Sequence, residues 1–450
     1  MDSVQNHLER ISLLEEPLWI SNSLSASTKF LDMSEYRRQF CSESARWFPM
    51  PPMEAGVSTV ASKTSREVMT TPLPLIRMFM NTEYWKDLFP SIVVNASVVV
   101  SGGRQLSPKI NQDTKLADIE IQAQLQILTP LVGLRETIFK RTCYRLKDRR
   151  GWLLVDLPIY EMHINDSSRC QLPFVRSLLV CPSSRTLGFS KVIWVEMFQY
   201  QSNEVHPLYC QTLWSQRWLC TLSRECLRLH SYDQYFSPLG LSVPDEGVAT
   251  LKRLVILAKE MTTRFYSGIA CATPRFVPID DDAHECMSFA MDTNYWVAAK
   301  STKFGMMQHQ KLLELVLSTD RLVGEKLLQI PSYYEKNCIS LHRHTEHGDK
   351  RMVRDTSFDE SGGVVVTAQM DSESLNNEDD VSSVITSAFG LSIHPDYDGS
   401  ILTLSYVQPP SSSSEGHWKK EISNKICNII QDIALTFESY SLTLPLTSFT

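Results

Sequence analysis

Residues 119–127 read Ile119-Glu120-Ile121-Gln122-Ala123-Gln124-Leu125-Gln126-Ile127. Apolar and polar side chains alternate without a break. In a β-strand successive side chains point to opposite faces, so the Ile, Ala and Leu residues share one face and the Glu and Gln residues the other. Such a strand is half-buried and needs partners on both edges. The chain supplies them downstream at 134–146, 151–161, 177–182 and 189–200, segments rich in Val, Ile, Trp and Phe. Consecutive strands with no helix between them predict an antiparallel sheet.

Helical patterns bracket these strands. Upstream, Pro72 and Pro74 suit the first turn of a helix, and Leu75, Phe79, Trp85 and Phe89 form an apolar side interrupted near Asn81. Downstream, Trp214, Trp218, Leu222, Cys226 and Leu229 recur at helical spacing as one stripe. Further upstream, Leu8, Ile11 and Leu14 give a short amphipathic pattern, and Phe48-Pro49-Met50-Pro51-Pro52 breaks the chain. Pro238, Gly240, Pro244 and Gly247 punctuate a seam.

Beyond the seam the order repeats. Helices are predicted at 251–266 and 308–318, strands at 336–343, 352–358, 363–370 and 400–407, and a final helix along Trp418, Ile422, Ile426, Ile430, Ile433 and Phe437. Two polar segments, 371–380 and 409–414, read as exposed loops. A local echo supports a repeat: Leu134-Arg135-Glu136-Thr137-Ile138-Phe139 resembles Val353-Arg354-Asp355-Thr356-Ser357-Phe358, and each is followed by a Gly and an apolar strand. The expected domains are an N-terminal segment 1–61, a helix-plus-sheet unit 62–230, a linker 231–248 and a second, diverged unit 249–450.

Composition narrows the function classes. The chain has 450 residues, 43% of them hydrophobic, with a net charge of −7. That charge disfavours intrinsic nucleic-acid binding over the surface as a whole. The 11 cysteines form no Cys-x-x-Cys pair and read as reduced core thiols of a nuclear or cytoplasmic protein. Met1 to Glu16 lacks the apolar core of a signal peptide, and no run of about 18 apolar residues exists to span a membrane. No Gly-x-Ser-x-Gly elbow, P-loop or His-Glu-x-x-His motif is present, so neither enzyme chemistry nor a cofactor is expected. His342, His344 and His347 cluster near Asp349, flanked by Lys350 and Arg351, and read as a solvated loop rather than a metal site.

Several segments, in order, resemble the START region of plant class IV homeodomain–leucine zipper proteins. They are Glu16-Pro17-Leu18-Trp19-Ile20, Tyr36-Arg37-Arg38-Gln39-Phe40, Ser65-Arg66-Glu67, Gln124-Leu125-Gln126-Ile127-Leu128-Thr129-Pro130-Leu131-Val132, Ser190-Lys191-Val192-Ile193-Trp194-Val195-Glu196 and Gln216-Arg217-Trp218-Leu219-Cys220-Thr221-Leu222. Leu257-Ala258-Lys259-Glu260-Met261-Thr262 and Asp355-Thr356-Ser357-Phe358-Asp359 resemble the START-adjacent region of the same family, whereas about 280–335 departs from it. The resemblance implies an α+β fold: a START-like helix-grip, in which a curved antiparallel sheet is closed by a long C-terminal helix, followed by a second diverged unit of similar layout.

It also implies a lipid or sterol ligand, and homeodomain–leucine zipper proteins as partners. A homeodomain core is absent from these residues, since Trp47-Phe48 runs into Pro49. The DNA-binding and zipper functions are therefore not expected to transfer. The alternative function is a protein-interaction module that modulates such regulators, or a truncated transcription factor.

Lipid-binding candidates follow. Ile121, Ala123, Leu125, Ile193, Val195, Trp214 and Trp218 are the apolar wall, and the resemblance makes Arg135 a buried anchor paired with Glu120 or Asp156. Trp194 and Glu196, on the opposite face of their strand from Ile193 and Val195, read as packing residues. Alternating strands build a filled core as readily as a cavity wall. A sterol-sized ligand burying roughly 300–400 Å² would gain about 8–10 kcal/mol before binding costs.

Overall fold

The computed structural model describes residues 2–22, 25–47, 57–99, 118–146, 150–159, 174–201, 215–236, 245–273, 285–291, 295–305, 307–319, 323–331, 337–345, 350–371, 385, 387–396, 399–410 and 414–443. The chain divides into two compact units, built principally from Met1–Ile127 with Val132–His230, and from Ser231–Pro274 with Asp282–Thr450.

In the first unit, helices α1 (Asp2–Leu13) and α2 (Met33–Trp47) accompany strands β1 (Trp19–Asn22), β2 (Ser25–Leu31) and β3 (Val57–Val68). Helices α3 (Pro72–Phe79) and α4 (Thr82–Leu88) follow. Then come β4 (Val93–Val98), β5 (Asp118–Leu125), β6 (Arg135–Arg145), β7 (Trp152–Pro158), β8 (Phe174–Pro182), β9 (Ser190–Gln201) and helix α5 (Ser215–Phe236). The strands form one sheet in the order β1-β2-β3-β9-β8-β7-β6-β5-β4, antiparallel throughout. The alternation at 119–125 is realised on β5, where Ile119, Ile121, Ala123 and Leu125 are buried and Gln122 is exposed.

Each face of this sheet has its own cover. Leu8 and Ile11 of α1 pack with Leu153, Val155, Val175, Leu179, Ile193, Val195 and Met197 in an outer core. The Trp19 indole donates to Ile11 O at 3.0 Å and ties the following segment to that helix. The inner face meets α5. Its first residue is held by hydroxyls of β3: the Ser215 amide donates to Ser62 Oγ at 3.0 Å, and Ser215 Oγ lies 2.8 Å from Thr64 Oγ1. Arg217 donates to Ser91 O and Gln126 O, fixing the same turn from the other side. Asn81 ends the apolar run noted in the sequence because its side chain caps α4, accepting from the Glu83 and Tyr84 amides.

The second unit contains α6 (Asp245–Ala272), β10 (Glu285–Met291), β11 (Trp296–Gly305), α7 (His309–Thr319), β12 (Val323–Pro331), β13 (Cys338–His344), β14 (Lys350–Asp359), β15 (Gly362–Asp371), β16 (Ser387–Asp396), β17 (Gly399–Gln408) and α8 (Glu415–Thr443). Its sheet runs β10-β11-β17-β16-β15-β14-β13-β12. That is the order of the first sheet from β2 to β4, strand for strand. The sequence echo therefore joins topologically equivalent strands: β6 corresponds to β14, and β7 to β15. Helix α6 packs one face through Leu254, Leu257, Ala258, Met261, Phe265 and Ile269. Helices α7 and α8 pack the other through Leu312, Val316, Trp418, Ile422, Ile426 and Ile430.

The segment 231–248, read as a linker, begins where the main stretch of the first unit ends, at His230. Helix enters it from both sides, since α5 extends to Phe236 and α6 begins at Asp245. Two readings need correction. Residues 280–335 contain β10, β11 and β12 as well as the predicted helix. Their Met, Ala, Ser and Lys content carries little strand propensity, and pairing with β17 and β13 decides the outcome. His342 and His344 lie buried on β13 rather than in a solvated loop, with His342 Nε2 at 2.9 Å from Ser340 Oγ. His347 and Asp349 fall outside the described residues.

The contact of α6 with its sheet depends on a missing side chain. A Cβ at Gly390 would lie 2.5 Å from Phe265 Cδ2 and 2.6 Å from Cε2. Gly390→Ala is expected to cost about 1–3 kcal/mol by overpacking, read as a lower urea midpoint. Adding Phe265→Leu should restore part of that loss. A midpoint unchanged by Gly390→Ala would show that the ring can move aside.

Candidate functional site

The inner face of the first sheet carries a row of charges. Arg141 on β6, Asp156 on β7, Arg176 on β8 and Glu196 on β9 are register partners in turn, so all four point the same way. All four are buried, the first three at 1% exposure. Arg141 grips Asp156 with two bonds, Nε to Oδ1 and Nη2 to Oδ2, each 2.7 Å. Arg176 donates to Asp156 Oδ2 at 3.3 Å and to Glu196 Oε1 at 2.8 Å. Signs alternate along the row, so each interior charge has an opposite charge on either side.

Aromatic rings cover the row. The Arg176 guanidinium lies 4.2 Å from the Trp218 ring centroid, and that of Arg141 lies 4.5 Å from Trp85. Trp218 from α5 is nearly parallel to Trp194 of β9, at 5.3 Å and 15°, and to Trp85 of α4, at 6.2 Å and 8°. Phe79, Phe89, Phe139 and Phe174 complete the layer. Guanidinium over indole is favourable, and more so when water is excluded.

This layer leaves polar atoms unmatched. The indole nitrogens of Trp85, Trp194 and Trp218, together with Glu196 Oε2, are buried without a hydrogen bond of normal geometry among the described residues. Burial pushes the Glu196 carboxyl above its ordinary range and Asp156 adds to that push. Arg176 opposes it, and so, more weakly, does the nearby Trp218 indole.

The candidates read from the sequence separate into groups. Ile121, Ala123 and Leu125 pair in register with Phe139, Thr137 and Arg135, so they and Arg135 share the inner face with the charge row. Trp218 sits at its centre. Ile193 and Val195 lie on the outer face in the core beneath α1, while Trp194 and Glu196 face α5. The reading had these two faces of β9 exchanged, because strand alternation fixes which residues go together but not which way they point. Trp214 lies outside the described residues. Asp156 is bound by Arg141 and Arg176 rather than Arg135. Glu120 points to the outer face, away from Arg135, because it pairs with Lys140, on the opposite face of β6 from Arg135. Arg141, Asp156, Arg176 and Glu196 were missed as a set, although Asp156 and Arg176 each stand as the single charge of an apolar strand.

Burial pushes the thiols of Cys143 and Cys226 up to about 12, which suppresses the nucleophilic thiolate. Among the described residues no group of three or more His, Cys, Asp or Glu side chains is placed to hold a metal. No described helix is long and apolar enough to cross a membrane.

An antiparallel sheet packed by the helix that follows its last strand, present twice, is the START-like helix-grip layout that the motifs led us to expect. The sequence relatives are homeobox–leucine zipper proteins, as the motifs implied. The chain is 27% identical to the homeobox-leucine zipper protein ANTHOCYANINLESS 2 of Arabidopsis thaliana, over 88% of this chain and 51% of that protein. It is 25% identical to the homeobox-leucine zipper protein HDG1 of the same plant, over 82% and 48%. The chain thus spans about half the length of these curated relatives. The human StarD13 (DLC2) lipid transfer and protein localization domain is 14% identical, with a TM-score of 0.32, over 49% of this chain and 94% of that one. No protein-family model matches the chain.

Two outcomes test the charge row. Asp156→Ala leaves two buried guanidinium groups without their shared carboxylate and is expected to cost about 3–5 kcal/mol in urea unfolding. Glu196 holds its proton more tightly folded than unfolded. Its contribution to stability is therefore full below the unfolded carboxyl range and is lost as pH rises through the folded value. Glu196→Gln is expected to remove this fall in stability, measured as urea midpoints over roughly pH 4–8. Parallel pH profiles for the two proteins would refute the assignment.

Proposed function

We propose that the first unit, about residues 62–230, binds a lipid or sterol between its inner face and α5, with no catalytic step. The observation that carries this reading is a set of buried polar atoms collected inside an otherwise apolar aromatic layer: the Trp85 and Trp194 indole N–H donors have no partner among the described residues, and the Trp218 indole meets the Glu196 carboxyl only in poor geometry. An amphipathic ligand with a hydroxyl or carbonyl group can satisfy such atoms while its hydrocarbon body lies against Ile121, Ala123, Leu125 and Trp218. The homeobox–leucine zipper relatives support a role alongside transcription regulators of that family, in the nucleus or cytoplasm. The second unit, about 249–450, is proposed to be a diverged START-adjacent domain.

Purified full chain, extracted and analysed by lipid mass spectrometry, is expected to yield a stoichiometric lipid. Adding that lipid back to the stripped protein should change tryptophan fluorescence, because the three indoles lie together. Glu196→Gln is expected to weaken binding about tenfold, the loss of one hydrogen bond to a charged group. Stripped and unstripped protein with the same fluorescence, and no co-purifying lipid, would exclude the reading.

A further inference from the structure

In the second unit α8 packs on the sheet face that carries Ala298, Leu402 and Leu404. Register puts Lys300 of β11 on that same face, opposite Leu404 of β17 on one side and Met287 of β10 on the other. A lysine so placed lays its aliphatic stem along apolar neighbours and extends its ammonium beyond them. Two groups meet that ammonium. Glu285 Oε2, from the position two residues before Met287 on β10, lies 3.2 Å from Lys300 Nζ. Cys427 Sγ, from α8, lies 3.5 Å from the same nitrogen and accepts a hydrogen bond from it.

The groups differ in exposure. The Lys300 side chain is only 14% exposed, whereas Cys427 is exposed on its helix. The nitrogen is therefore held in place, and the sulfur is open to small reagents from solvent. Burial works against the Lys300 charge, but Glu285 and then Cys427 hold its pKa above the ordinary lysine value.

The pair joins two elements that are far apart in sequence. Reacting atoms held roughly 3–3.5 Å apart have already met the entropy cost of encounter. An exposed thiol is oxidised by peroxides to a sulfenic acid, and a sulfenic acid condenses with a nitrogen that lies beside it. Lys300 Nζ is such a nitrogen.

We propose that Lys300 and Cys427 form an oxidative modification site, at which a peroxide joins α8 to β11 through a sulfur–nitrogen bond. In the first step the Cys427 sulfur attacks a peroxide oxygen. The S–O bond forms, the O–O bond breaks and water leaves, so sulfur is oxidised and peroxide reduced. The sulfenic acid gives its proton to solvent. In the second step the Lys300 ammonium supplies two protons to the sulfenate oxygen, which leaves as water, and the freed nitrogen lone pair forms the S–N bond. No further oxidant enters. A dithiol reverses the link, returning thiol and amine as it becomes a disulfide. The bond pins α8, which otherwise rests on isoleucines and Trp418, to the sheet. It also shields the sulfur from irreversible oxidation. The site lies wholly in the second unit and is independent of ligand binding in the first.

The test treats the full chain with hydrogen peroxide, blocks free thiols and digests without reduction. Mass spectrometry should find the Lys300 peptide joined to the Cys427 peptide, lighter than their sum by two hydrogens, and dithiothreitol should release it. The urea midpoint should rise with peroxide and return with dithiothreitol. Lys300→Arg keeps the charge beside Glu285 but offers no amine. It should lower the linked peptide at least about tenfold and leave Cys427 as sulfinic acid. Cys427→Ser, at an exposed helix position, should abolish the midpoint rise, and it serves should Lys300→Arg fail to fold. Sulfinic acid forming at Cys427 as fast in the native chain as in Lys300→Arg, equal linkage of Cys427 to other lysines, or an unchanged midpoint rise in Cys427→Ser would overturn the proposal.

Discussion

Arg141, Asp156, Arg176 and Glu196 lie opposite one another on neighbouring strands, where water cannot reach them. A lone ion in such a place costs several kcal/mol, and attraction repays this only when geometry is good and remaining donors are met. Asp156 meets the condition best, accepting from both flanking arginines. The alternation also fixes register. A slip of one residue on any of the four strands would move its charge to the face beneath α1, among Leu153, Val155 and Val175, and strand its neighbours. The tryptophans belong to the same constraint, because a guanidinium sandwiched between carboxylates leaves its flat faces to be covered, and indole rings cover them.

The two units show how far one layout can diverge. Both carry an outer helix, an inner helix and the same strand order. In the first, the inner helix is pinned at its start by Ser62 and Thr64, and its Trp218 completes the aromatic layer. In the second, α8 meets the sheet mainly through isoleucines and Trp418. Directional bonds hold the first helix over a polar interior, whereas area holds the second over an apolar half-face. The same strand order can therefore enclose a row of paired charges or an apolar core without changing topology.

Much of this was legible in the sequence. The alternation at 119–125, the closing stripe through Trp218 and the helix of Trp418 to Ile433 came directly from periodicity, which reports burial on one side. The echo between Arg135 and Arg354 located equivalent strands. Orientation was not legible: Ile193 and Trp194 are both apolar, and only the packing of α1 on one face and α5 on the other distinguishes them. The charge row escaped for a related reason. Its members lie far apart in sequence, and register, which turns and tertiary pairing set, is what aligns them. The lone Asp156 and Arg176, of opposite sign in two successive apolar strands, were the available signal; Arg141 was hidden among the other charges of its strand.

The inner layer of the first unit also limits what kind of ligand could enter. Its rings already contact one another, so a hydrocarbon entering there exchanges aromatic contacts for its own and gains little from area alone. The unmatched atoms change that balance. A buried polar group without a partner costs about 1–3 kcal/mol, and several lie together here. A molecule that brings a hydrogen-bonding group to Glu196 or to the indole N–H groups recovers part of that cost, whereas a plain alkane recovers none. Selectivity would then arise from the polar end of the ligand. Its apolar body would determine only whether α5 can close over it with Trp218 still in contact with Arg176.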